Sequence, residues 1–551
     1  MRNARRQSAR AAATTAPDWR LWMCGAALVV ATCAAFQPAF HAEFIRWDDP
    51  QYVSENELLR SAAGLRTIWT PFTGKLPQYY PLTFSSYWIE YQLWQLTPAG
   101  YHATNVVLHA INAILVLQLL RVLGASLWIA FGAAAVFALH PVQVESVMWV
   151  TERKNTLSVC FYLLAFLLYL RHRRTGRWGA YAASLVVFLC ALLSKTQTVS
   201  LPVIVCLTEW LLQHSARLQR ANASAVAARV APILVLGVLS TWLTTAVERQ
   251  MTLSWVELPT LLQRVLIAAN APWYYLGSFL APFSLAPIAP KWVVSAADPR
   301  WWAGVLAWVI AGALCVRWRA RFDALSKWGA GQFFIALSPA IGLVPFAYQH
   351  YTYVAMRFVY LSCIGGGVVL AVLAERLAGP QGTGRRVAIV VASIIVLAGC
   401  GVLTYREAEH WQSNFSFWSY AVARNPDSYP PNLNLGKHYE SKNQWAAALR
   451  YYQRAYELRR MDVYALTRYL RALSVVRGPQ AVVDAADAEL RRSSVNAFIA
   501  YFYRAMGYEQ LGRRDDAIKD YDRVLGLTRQ GSETWEAARR ARDRLAQVGS
   551  G

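Results

Sequence analysis

No cysteine of this 551-residue chain falls in a polar loop. All eight, at positions 24, 33, 160, 190, 206, 315, 363 and 400, lie inside apolar stretches, which excludes a disulfide framework. Three standard signatures of chemistry are also missing. There is no Gly-rich phosphate loop, no zinc-protease helix motif and no nucleophile-elbow serine. Their absence argues against an ATP-driven pump and against a serine or metal hydrolase. Negative charge is in short supply, with 32 Asp and Glu against 55 Lys and Arg, a net charge of +23. Much of the excess sits in short loops between apolar runs, where the bias of membrane proteins toward basic cytoplasmic loops accounts for it, so nucleic acid is not the expected partner.

What is abundant is apolar and aromatic surface: 56% of residues are hydrophobic, with 23 Trp, 28 Tyr and 21 Phe. That composition reads as a polytopic membrane protein with aromatic belts. Helical spans are expected near 20–40, 103–121, 127–146, 156–171, 178–194, 198–213, 229–247, 301–317, 329–346, 357–377 and 386–404, eleven in all. The segment 257–285, interrupted by Asn270, Pro272 and Pro282, reads as re-entrant or interfacial. The basic stretches at 1–20, 171–174, 217–229, 317–327 and 385–386 set the orientation. With these cytoplasmic, the N-terminus is cytoplasmic and an uncleaved first helix follows it. The loop 41–102 and everything after 404 then lie on the outer, periplasmic side of a bacterial inner membrane.

Residues 405–551 are polar and free of long apolar runs. Asn432 to Ala455 and Tyr501 to Val524 superpose with an offset of 69 residues, about two periods of the 34-residue tetratricopeptide repeat. Residues 461–495 are expected to hold a middle repeat with a degraded signature. The chain thus divides into a membrane domain, 1–404, and a C-terminal helical solenoid, 405–551, an all-α fold throughout.

The candidate site residues collect on the outer side. Asp48 and Asp49, in Trp47-Asp48-Asp49-Pro50, are costly so close to a bilayer unless solvated, paired or metal-bound. Either could serve as a general base toward a hydroxyl, or the pair could hold a divalent cation, Mg or Mn. Tyr80, in Tyr79-Tyr80-Pro81, suits an aromatic belt or a groove for sugar or isoprenoid. His140 and Glu145, at a helix end, suit a polar cavity; Glu152 close by would pair with Arg153 or Lys154. Lys195 would snorkel or bind phosphate, and Arg357, opening an otherwise apolar helix, is a natural bidentate phosphate ligand.

In this order, followed by the repeats, these motifs resemble the bacterial relatives of the transmembrane-and-TPR O-mannosyltransferases, within the GT-C class of glycosyltransferases. The resemblance covers nearly the whole chain. It implies a polyprenyl-phosphate sugar donor, an active site on the non-cytoplasmic face, a key Asp in the first outer loop (Asp48 or Asp49), and repeats that present a protein acceptor. One departure is that relatives often carry an acidic residue before and a tyrosine after the later arginine; here Met356 and Phe358 flank Arg357. The function expected is transfer of a mannose-like sugar to a hydroxyl of an exported protein or glycan, by an inverting in-line attack. Two alternatives stand beside it: an oligosaccharide ligase using a polyprenyl-diphosphate donor, and a membrane-anchored repeat scaffold without enzyme activity.

Overall fold

The computed structural model describes residues 19–251, 259–344, 347–379, 383–492 and 495–547. The basic stretch up to residue 18, expected on the cytoplasmic side, and the first two residues of the 257–285 segment lie outside the described residues. Among the described residues every regular element is a helix. The chain divides into two compact units, 1–413 and 414–551. The last apolar helix, Thr383–Glu409, runs past the composition change at 404, which places the division nine residues later than the sequence suggests.

In the first unit all eleven expected spans are helical, but only five are unbroken helices long and apolar enough to cross a membrane: Pro98–Val122, Val150–Thr175, Ala223–Arg249, Pro299–Arg317 and Thr383–Glu409. This is a multi-pass membrane protein. A sixth span, Leu127–Leu139 with Pro141–Met148, bends by 54° at His140. Of the others, Trp178–Ser194 and Thr196–Leu212 have about the expected length and the remaining three are shorter than expected. Trp19–Ala35, Trp178–Ser194 and Thr196–Leu212 are short apolar helices, Ala324–Leu337 stops before Pro339, and Cys363–Ala378 begins six residues after Arg357. Proline and buried polar residues interrupt the helices where average hydropathy stays high, so apolarity alone overstates unbroken length. The segment 257–285, expected to be re-entrant or interfacial, is not one of the described helices long and apolar enough to cross a membrane. Leu261–Leu280 is one helix that passes through Pro272. Its start is fixed by Thr260 and Gln263 in a reciprocal capping box, and Asn270 satisfies backbone carbonyls at Leu266 (2.8 Å) and Trp301 (2.7 Å).

The loop 41–102 is a folded cap. Helix Pro81–Trp94 and shorter turns enclose Tyr52, Leu59, Ile68, Phe84, Tyr87 and Tyr101, with Tyr52 stacked on Phe84 at 5.0 Å. The second unit contains three helix pairs: Tyr429–Ser441 with Trp445–Leu458, Val463–Arg477 with Pro479–Arg492, and Ala497–Gln510 with Arg514–Leu527. The first helices begin 34 residues apart, and the degraded stretch 461–495 carries a pair like its neighbours. Glu533–Gln547 packs on the last pair.

Candidate functional site

Breaking a helix inside a membrane protein frees carbonyls that need partners. Here they come from one face of Pro98–Val122. Asn105 donates to the carbonyls of Val147 (3.2 Å) and Trp149 (3.1 Å), His109 meets that of Ala138 (3.1 Å), and Asn112 donates to that of Thr156 (2.8 Å). Tyr360 joins them, its hydroxyl 2.9 Å from His109 and 3.0 Å from Asn112. Residues 138–156 can therefore turn sharply while buried, and that turn delivers the site.

Five buried charged side chains meet there. Glu145 stands on the short helix Val144–Met148, and Arg357 on the single turn Met356–Val359. The Arg357 side chain pairs with Glu145, and its backbone N–H donates to the same carboxylate at 3.0 Å. Glu152 is the hub. One of its oxygens lies 3.2 Å from Lys154 and 3.5 Å from the Arg357 Nε; the other lies 3.1 Å from Lys195. Lys195 also donates to Asn155 (2.6 Å), which donates in turn to the Arg357 carbonyl (3.0 Å). Three cations thus face two buried carboxylates. An aromatic wall covers them: the Arg357 guanidinium lies 3.8 Å from the centre of the Tyr348 ring and 5.5 Å from that of Trp149.

The two aspartates part company. Asp49 is fully buried and receives N–H bonds from Ile45 (2.7 Å) and Thr151 (3.0 Å), with the Thr151 hydroxyl as a third donor. Burial pushes its carboxyl up to about 7, against the pull of those donors. Asp49 fastens the loop 41–102 to the turn before the cluster. Asp48 is partly exposed, and its side chain accepts no hydrogen bond among the described residues. Burial raises its pKa as well, opposed by the positive charges of Lys154 and Arg357.

Of the residues singled out from sequence, the structure brings Asp48, Glu145, Lys195 and Arg357 together. Tyr80 is buried at the start of Pro81–Trp94, its hydroxyl against Thr196, one residue beyond Lys195. His140 stays outside the cluster. Its Nε2 is 2.8 Å from the Phe279 carbonyl, its Nδ1 accepts from the Val142 N–H, and its ring stacks on Phe279 at 4.6 Å, so it caps the helix break. Arg153 is committed elsewhere, to Glu90 (2.9 Å) and the Tyr101 carbonyl (2.8 Å). The expected pairing of Glu152 with Lys154 is present, but nothing in the sequence indicates that Glu152 also meets Lys195 and Arg357.

Of the two aspartates proposed to hold a divalent cation, only Asp48 has oxygens not already taken by hydrogen-bond donors among the described residues. Both Asp49 oxygens are taken by fixed donors. Among the described residues no group of three or more His, Cys, Asp or Glu is arranged to hold a metal.

No family model matches the chain. Curated relatives do. The chain resembles the TMTC protein O-mannosyltransferases. It is 34% identical over 128 residues to protein O-mannosyl-transferase Tmtc1 of Drosophila melanogaster, covering 23% of this chain and 15% of that protein. It is 35% identical over 146 residues to Tmtc2 of the same fly, covering 25% and 16%. To TMTC3 of Mus musculus it is 29% identical over 192 residues, covering 33% and 20%. The chain therefore matches a fifth or less of the length of these relatives. Among solved structures, ArnT from Cupriavidus metallidurans bound to undecaprenyl phosphate aligns with 91% of this chain and 80% of its own at 15% identity. The TM-score is 0.36, too low to carry an argument.

Proposed function

We propose that this chain is a membrane glycosyltransferase that moves a mannose-like sugar from a polyprenyl-phosphate donor to a hydroxyl of an exported protein or glycan at the periplasmic face of the inner membrane. The observation that supports this reading best is a carboxylate, Asp48, that feels the positive charges of Lys154 and Arg357 and accepts no hydrogen bond among the described residues. In the proposed step Asp48 takes the acceptor hydroxyl proton as that oxygen attacks the anomeric carbon. The bond from that carbon to the phosphate oxygen breaks, and the polyprenyl phosphate leaves with the bonding pair. Arg357 and Lys195 receive the new negative charge, so charge moves from Asp48 to a group already surrounded by cations. In-line attack inverts the anomeric carbon. A carboxyl whose pKa is raised by burial is a better base near neutral pH than a solvated one, provided it is still ionised.

The test is sugar transfer in membranes from a strain lacking the chain, complemented with wild type, Asp48→Asn or Asp49→Asn, read by intact-mass spectrometry. Wild type should add a hexose-sized mass. Asp48→Asn should lower transfer by about 10²-fold or more at equal expression. Wild-type transfer should also fall on acidification, with a midpoint above the usual carboxylate value of about 3.9. An Asp48→Asn variant with full transfer would remove Asp48 as the base, whereas wild type that adds no hexose-sized mass would remove the enzyme reading and favour the scaffold. Transfer that survives chelation by EDTA would agree with a donor phosphate held by side chains; loss of transfer that returns with Mg or Mn would support the metal.

A further inference from the structure

Lys154 belongs to the buried cluster but has no carboxylate of its own. Arg357 holds Glu145 through both its side chain and its backbone. Glu152 is divided among three cations, and Lys195 reaches the oxygen that Lys154 does not. The oxygen nearest Lys154 lacks a hydrogen-bond partner although it is buried, so the 3.2 Å approach is an ion pair without alignment. The other groups in contact with the Lys154 ammonium are the Gln78 side-chain oxygen at 3.4 Å and the Tyr52 ring centre at 4.9 Å, and the charges of Asp48 and Glu248 act on it without an ion pair. Gln78 and Tyr52 belong to the loop 41–102, where the Tyr52 hydroxyl donates to the same Gln78 oxygen at 2.7 Å. Lysine is a compact charge on a flexible stem and can change partner with little rearrangement. The adjacent Arg153 is locked by four partners and cannot.

Resting on the polyprenyl-phosphate reading above, we propose that Lys154 is a third cation on the donor phosphate, turning from Glu152 to the phosphate when the lipid binds. Glu152 is then a positioning residue that keeps the cations together while the site is empty.

The probe is undecaprenyl phosphate, with neutral undecaprenol as control, bound to the full chain in lipid nanodiscs and measured by native mass spectrometry. Lys154→Met should weaken undecaprenyl phosphate binding by about tenfold or more, the loss expected for one charge-assisted contact. Undecaprenol binding should not change, and Lys154→Arg should recover most of the loss. Unchanged binding in Lys154→Met, with weakened binding in Lys195→Met and Arg357→Lys, would overturn the role of Lys154 and leave the phosphate site standing. Binding unaffected in all three variants, or absent in wild type, would overturn both. If Lys154→Met does not fold, the double variant with Glu152→Gln removes both members of the pair and keeps the net charge. Its binding, compared with that of Glu152→Gln alone, then separates the same outcomes.

Discussion

A carboxylate whose oxygens are filled by fixed donors cannot accept a substrate proton without losing some of those bonds. Asp49 is in that position and Asp48 is not, which is why the two are expected to fail differently. Asparagine at 49 offers one acceptor oxygen and turns an NH2 group toward an existing N–H donor. Asp49→Asn should therefore lower stability by about 1–3 kcal/mol, seen as a lower melting temperature in detergent, while folded protein keeps transfer activity. The pH dependence has a definite sign. The folded-state pKa of about 7 lies above the unfolded value, so the native state holds a proton that the unfolded chain has released between about pH 4 and 7. The stabilising effect is greatest below that window and is lost as pH rises through it. The melting temperature of wild type relative to Asp49→Asn should fall from pH 5 to pH 8. A difference that grows with pH would mean that the three donors dominate and Asp49 is ionised throughout.

Helix breaks bring the charges together, and glycine lets the broken helices pack. Arg357 leads into Cys363–Ala378, which packs on Ala324–Leu337 through Gly365 and on Leu127–Leu139 through Gly367, while Gly366 faces the Phe279 ring. A Cβ at Gly365 would lie 2.2 Å from the Gly329 carbonyl oxygen and 2.6 Å from the Phe333 nitrogen. Both are backbone atoms that cannot step aside. Gly365→Ala should separate the helices and cost at least about 1–3 kcal/mol. Phosphate-lipid binding should fall with it, because Arg357 is held on the turn just before this helix. Gly399 has nothing within 4 Å of the equivalent position, so Gly399→Ala is the matched control and should melt as wild type does. These elements also mark how far the sequence could be read. Hydropathy located all eleven helical stretches, and the intramembrane charges Glu145, Lys195 and Arg357 stood out because they are costly there. The breaks between the helices were hidden. Asn105, His109 and Asn112 look unremarkable in sequence, since only the fold shows that one helix face satisfies carbonyls in another segment. His140 drew attention as a titratable group, whereas its contacts are those of a cap.

At the scale of the whole molecule, the charged cluster lies within residues 1–413, while residues 414–551 form a compact unit with apolar cores of their own around Tyr452, Leu470 and Tyr521. The repeat period was legible from small residues and tyrosines at fixed spacing. The middle pair was harder to read because its helices keep the length and amphipathicity of a repeat without its signature residues. Because the cluster makes its ion pairs inside the first unit, a chain ending at Ser413 should still bind undecaprenyl phosphate about as well as the full chain. If the helix pairs recognise the acceptor, as repeat arrays with extended surfaces commonly do, the truncated chain should lose transfer to protein and keep transfer to a soluble hydroxyl acceptor supplied in excess. Measuring lipid binding and both transfers on one preparation separates the outcomes. Loss of lipid binding would mean that the first unit does not hold the donor by itself. Undiminished transfer to protein would remove acceptor recognition from the C-terminal unit.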